Sequence, residues 1–139
     1  MSKYDADLYE WTREQADSLR RRAVNEIDWD NVAEEIETLG SSDRHEIRSR
    51  LENLILHLLK WSYQPERRCG SWEGSIYEAR VRLEDLLEES PSLTSLPAEH
   101  LPKAYERARK KALRETGLLR LPEICPWTID EILAEDFLP

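Results

Sequence analysis

The chain has 139 residues and a formal net charge of −9, with 35% charged residues, 40% hydrophobic residues and only four glycines. A chain of this length suits one domain, which buries roughly two-thirds of its unfolded surface and needs neither a metal nor a disulfide to hold a core. Scarce glycine argues against a turn-rich β architecture, and five Trp with five Tyr argue against disorder.

The charge argues against a protein devoted to nucleic acid, yet it is unevenly spread. Residues 1–40 carry 5 basic and 11 acidic side chains, residues 41–82 carry 8 and 6, and residues 83–139 carry 7 and 12. The middle segment alone is not acidic. The N-terminus, MSKYDADLYEW, has acids where a signal peptide would have basic and then apolar residues. No apolar run approaches the roughly 20 residues of a membrane span. The two cysteines, Cys69 and Cys125, form no CxxC pair and no metal-ligand spacing. A soluble, cytoplasmic protein without metal, cofactor or membrane partner is expected.

In chain order, Tyr4, Leu8, Trp11, Gln15 and Leu19 mark a first helix to about residue 22, with Asp5 as N-cap and Arg20, Arg21 and Arg22 at the end that favours cations. Asp28 or Asp30 opens a second helix with a core stripe of Trp29, Val32, Ala33, Ile36 and Leu39, and an acidic outer face of Glu34, Glu35 and Glu37. Gly40 stands where a left-handed C-cap is expected, and Ser41 or Ser42 where a new N-cap is expected. This predicts an antiparallel hairpin closed by a Gly-Ser-Ser link.

The third helix, Asp43 to Gln64, is the one the others should pack around. Ile47, Leu51, Leu54, Ile55, Leu58 and Trp61 share one face, and Leu56, Leu59 and Tyr63 widen the apolar arc beyond half the circumference. A surface helix needs only about 100° of apolar stripe, so this one must be covered on at least two sides. Pro65, Gly70 and Gly74 loosen the following link. A fourth helix, opened by Ser71 or Ser75, carries Ile76, Ala79, Leu83, Leu86 and Leu87 and ends at Ser90-Pro91. A fifth starts at Pro97 or Pro102, carries Leu101, Ala104, Tyr105, Ala108 and Ala112, and stops at Gly117. Thr128 caps a short C-terminal turn of Ile129, Ile132 and Leu133 whose apolar density predicts docking. Nowhere is there sustained period-2 alternation. The expected fold is all-α: a single-domain bundle of about five helices plus a short C-terminal one, over residues 1–139.

The runs DWDNVAEEIETLG, LENLILHLLKWSYQPERRCGSW and LPEICPWTIDEILAEDFLP keep an order and spacing that resemble the bacterial family known as domain of unknown function 29. The resemblance extends from YDADLYEW to the terminal DFLP, and its most particular piece is His57 to Arg68. It implies a small, self-standing helical protein and brings no catalytic residues with it.

Candidate site residues therefore rest on chemistry alone. Asn53, His57, Lys60 and Gln64 form a polar stripe along the third helix, continued by Arg67 and Arg68 and interleaved with Trp61, Tyr63 and Trp72. Cations among aromatics suit an anion or a stacked ligand. The same residues also suit a solvated helix edge whose cations pair with the acidic helix before it. His57 is a candidate catalytic base, with Lys60 beside it, if a glutamate of the 34–37 cluster supports it across the hairpin. Glu-x-x-His metal motifs, glycine-rich phosphate loops and nucleophile elbows are absent from the sequence. Arg107, Lys110, Lys111 and Arg114 form a basic ridge on the fifth helix. The leading expectation is an interaction module without catalysis, acting on a protein partner or a second copy. A small-anion binder or hydrolase-type enzyme using His57 and Lys60 comes second, and nucleic-acid binding through the basic ridge third.

Overall fold

The structure, a computed structural model, describes residues 2–139. Six α-helices account for most of the described residues: α1 (Lys3–Ala6), α2 (Leu8–Arg20), α3 (Trp29–Tyr63), α4 (Gly70–Glu89), α5 (Leu96–Thr116) and α6 (Ile129–Leu133). Short 3-10 turns at Val24–Glu26, Pro65–Arg67 and Pro91–Leu93 lie in the links, and no strand occurs among the described residues. The all-α class is as expected, while several boundaries differ.

The largest difference is at residues 40–42. No hairpin forms there: the expected second and third helices are one helix of 35 residues. Gly40 does not adopt the left-handed conformation, which among the glycines is found only at Gly117, with φ 72°. A glycine inside a helix costs about 1 kcal/mol relative to alanine, and serine less. Nothing at 40–42 removes a backbone donor as proline would, so the hydrogen-bond ladder runs through.

At the N-terminus the expected single helix is two. The Asp7 backbone leaves the helical region (φ −151°, ψ 89°) and its carboxylate accepts from Glu10 N at 3.0 Å, which caps α2 and breaks it from α1. Ser2 caps α1, so Asp5 lies in its first turn instead of acting as its cap. α4 does not open at Ser71 or Ser75 as expected: it begins at Gly70 with Cys69 at the N-cap and no side-chain cap hydrogen bond, so both serines lie inside it. Pro97 lies in the first turn of α5, Pro102 is accommodated inside it, and Gly117 closes it. Thr128 and Glu131 form a reciprocal capping box at α6.

The chain divides into two compact units after Ser42. In the second, Ile47, Leu51, Leu54, Ile55, Leu58 and Leu59 of α3 are wholly enclosed. Ile76, Ala79, Leu83 and Leu86 of α4 and Ala104, Tyr105, Ala108 and Ala112 of α5 complete the cluster. Each fully buried Leu or Ile contributes roughly 1.5–3 kcal/mol relative to exposure. The alanines at every fourth position of α5 are themselves buried in this cluster.

The C-terminal segment docks on this core, as its apolar density predicts. Leu121 and Ile132 are buried. The Tyr105 hydroxyl donates to Pro122 O at 2.5 Å, and its burial lifts the phenol to a pKa of about 12. Arg80, only 7% exposed, donates Nε to Ile132 O at 2.9 Å, Nη1 to Glu135 O at 3.1 Å and Nη2 to Phe137 O at 2.7 Å. One guanidinium thus ties three carbonyls of the C-terminal segment to α4, and burial lowers its own pKa.

The first unit is built differently. Trp11 is buried, and its indole donates to Asp28 Oδ2 at 3.1 Å. Asp28 also accepts from Asn31 Nδ2 at 2.9 Å, and its backbone N–H donates to Gln15 Oε1 at 2.7 Å. These hydrogen bonds hold the Asp28 carboxyl below its ordinary pKa. Tyr4 packs edge-on against Trp11 with ring centroids 4.8 Å apart, and donates its hydroxyl to Glu35. The stripe expected to be core on residues 29–39 is not: Trp29 is 56%, Ile36 67% and Leu39 71% exposed, and Ala33 is exposed as well.

Candidate functional site

The residues of the polar stripe lie on the last three turns of α3 and in the link that follows. The His57 ring bonds through Nδ1 to Asn53 O at 2.8 Å, one turn back on its own helix. Gln64 is buried at the helix end, where its backbone N–H still completes the ladder to Lys60 O. Arg67 is exposed in the 3-10 turn.

Arg68 is exposed but held. Its guanidinium stacks on the Trp61 ring at 4.9 Å, Nε donates to Trp61 O at 2.8 Å, and Nη2 donates to Pro139 O at 3.3 Å. Its positive charge therefore sits on the carbonyl-rich end of α3, where the helix dipole favours it.

Lys60 carries the sharpest geometry. Its side chain is 16% exposed, Nζ lies 2.7 Å from Glu115 Oε2 of α5, and it also sits 5.9 Å from the centre of the Trp72 ring. Glu115 is held below its ordinary pKa, first by the hydrogen bond from Lys60, then by the positive charges of Lys60 and Lys111. The acidic partner comes from α5, not from the helix segment preceding residue 43 as expected. Sequence reasoning missed Glu115 because it sits amid charged residues at the end of α5, and no local pattern sets it apart from solvated neighbours.

The hairpin that was to bring Glu34, Glu35 or Glu37 to His57 is not formed, because α3 runs unbroken through residues 40–42. Among the described residues no group of three or more His, Cys, Asp or Glu side chains is placed to hold a metal.

The basic ridge of α5 is exposed, with Arg107 3.0 Å from Glu52 and Lys110 3.1 Å from Glu106. Half of the ridge is thus neutralised locally. A groove of about 450 Å³ in the second unit is lined by Tyr77, Val81, Leu83 and Leu87 of α4 and Leu133 of α6, with Glu84, Glu88 and Glu135 at its rim. No helix among the described residues is long and apolar enough to cross a membrane.

A family model described as Domain of unknown function DUF29 matches residues 3–138. The chain belongs to this family. As the matched span covers both compact units, the family description includes the exposed helical segment at 29–39 as well as the sealed core. No curated protein and no solved structure matches the chain. The DUF29 description names no reaction and no ligand, so a functional reading has to come from the surfaces of this chain.

Proposed function

We propose that the protein is an interaction module without catalysis, binding a protein partner or a second copy through residues 2–42. The observation that carries this reading is the exposed apolar row Trp29, Ile36 and Leu39 on a regular helix. Scattered apolar residues on a surface are ordinary, but a helical row of large ones marks an association site. Tyr9, Leu8 and Val24 add further exposed apolar surface in the same unit. The polar stripe supports the same reading. Lys60 is matched by Glu115 and His57 is bonded to its own helix, so neither is poised as an activated base or an open anion clamp.

Size-exclusion light scattering and crosslinking capture, run on the wild type and on Ile36→Asp/Leu39→Asp, test the proposal. The wild type is expected to associate, and the double variant to lose that association while keeping its helical signal. A wild-type chain that stays strictly monomeric and retains no partner overturns it.

A further inference from the structure

We infer that the groove between α4 and the C-terminal segment binds a small amphiphilic cation, an alkyl or aryl chain ending in an ammonium group. The groove holds about 450 Å³, within the range of small-molecule sites. Leu83, only 1% exposed, lines it, so the groove reaches down to the core cluster. Tyr77, Val81, Leu87 and Leu133 add apolar walls. The lining runs along α4 from Tyr77 to Glu88, roughly 16 Å of helix axis. Spread over that length, the volume leaves a cross-section on the order of 30 Å². A single hydrocarbon chain fits that section, whereas a helix with its side chains is about 10–12 Å across and does not.

The charges select the head group. Glu84 and Glu88 of α4 line one side and Glu135, beyond α6, the other. All three are exposed and take part in no ion pair among the described residues. Their neighbours Asp85 and Glu89 lie near Arg82, which is itself bonded through two nitrogens to Glu46. Among the lining residues Arg80 alone is cationic, and its three nitrogens are turned to the carbonyls of Ile132, Glu135 and Phe137.

The end of α4 sharpens this imbalance. Its last turn contains no basic residue, so the negative end of the helix dipole adds to the carboxylates there. A chain with a carboxylate head is repelled from this groove. A neutral chain gains only the burial of its apolar surface. A chain with an ammonium head gains that burial and places its charge among Glu84, Glu88 and Glu135 as well. The site lies wholly within residues 43–139 and does not depend on the surface at residues 2–42.

Octylamine, octanol and octanoate share one chain and differ in the charge of the head. Each is titrated at neutral pH into the isotope-labelled full chain, with amide shifts followed by NMR. Octylamine is expected to move the resonances of residues 77–88 and 133–135 and to bind most tightly, with octanol next and octanoate last. Its advantage should shrink as salt rises. Glu84→Gln/Glu88→Gln/Glu135→Gln changes exposed side chains only. It is expected to weaken octylamine at least about fivefold and leave octanol unaffected. Val81→Trp, at a position 38% exposed, is expected to fill the groove and abolish binding of both. Octanoate binding as tightly as octylamine overturns the inference, as does octylamine that moves other resonances instead. Unchanged octylamine affinity in either variant overturns it too. If none of the three probes binds, the inference falls, while association through residues 2–42 stands or falls on its own test.

Discussion

In residues 43–139, Leu51, Leu54, Leu58 and Leu59 of α3 are enclosed by α4, α5 and α6, and the charged groups lie outside or are matched. In residues 2–42 the arrangement is nearly reversed. A hydrogen-bond network through Trp11, Asp28, Asn31, Gln15 and Tyr4 holds the helices, while Trp29, Ile36 and Leu39 face outward. Both halves of α3 have apolar side chains at helical spacing, so periodicity does not separate a sealed face from an open one. What separates them is whether other helices lie over the face.

This contrast predicts a graded set of outcomes. Leu58→Ala in the sealed core should have the largest effect, roughly 2–5 kcal/mol lost in chemical denaturation, because the cavity adds to the lost burial. Arg80→Met comes next. Methionine replaces much of the volume but leaves Ile132, Glu135 and Phe137 carbonyls without their donor, costing roughly 2–3 kcal/mol. Hydrogen exchange should rise first in residues 129–139; unchanged protection there would show that the docked tail does not depend on Arg80.

In the first unit, Trp11→Phe keeps the ring and removes the indole donor to Asp28. Exchange in residues 8–28 should quicken about tenfold, with residues 51–59 unaffected. Equal quickening in both stretches would break the distinction between the two units.

The smallest effect concerns pH. Glu115 has a folded pKa below its unfolded value, so its pairing with Lys60 stabilises fully above the ordinary glutamate range and is lost as pH falls through the folded value. Lys60→Met should flatten this acid-side loss. Because the Glu115 side chain is 39% exposed, the change stays under about 1 kcal/mol. Thermal melts between neutral pH and pH 3 measure it, and an unchanged slope would show the pair to be energetically silent.

Much of this was legible in the residues. The stop at Gly117 and the cap at Thr128 hold, since each depends on interactions within one or two turns, and the apolar arc of 43–64 holds except at its end, where Tyr63 is exposed and Gln64 is buried. The break expected at Gly40 fails for a quantitative reason. Gly-Ser-Ser is a common helix boundary, but its propensity cost is only on the order of 1 kcal/mol, and a continuous backbone ladder outweighs it. With the hairpin gone, the partner expected for His57 was gone too. Glu115 and the carbonyls held by Arg80 were not legible at all, because they meet Lys60 and Arg80 across long stretches of chain and leave no local pattern.

By itself, then, the sequence determined an all-helical chain, the residues of its main core, most of its caps and a segment, Ala23 to Asp43, bearing acids only. These depend on backbone propensity, side-chain period and charge, which are properties of neighbours in the chain. Only the tertiary structure decided which apolar stripes are covered, that Lys60 answers Glu115, and that Trp29, Ile36 and Leu39 remain open. Burial is a relation between elements, and a helical period says which residues share a face without saying what lies against it.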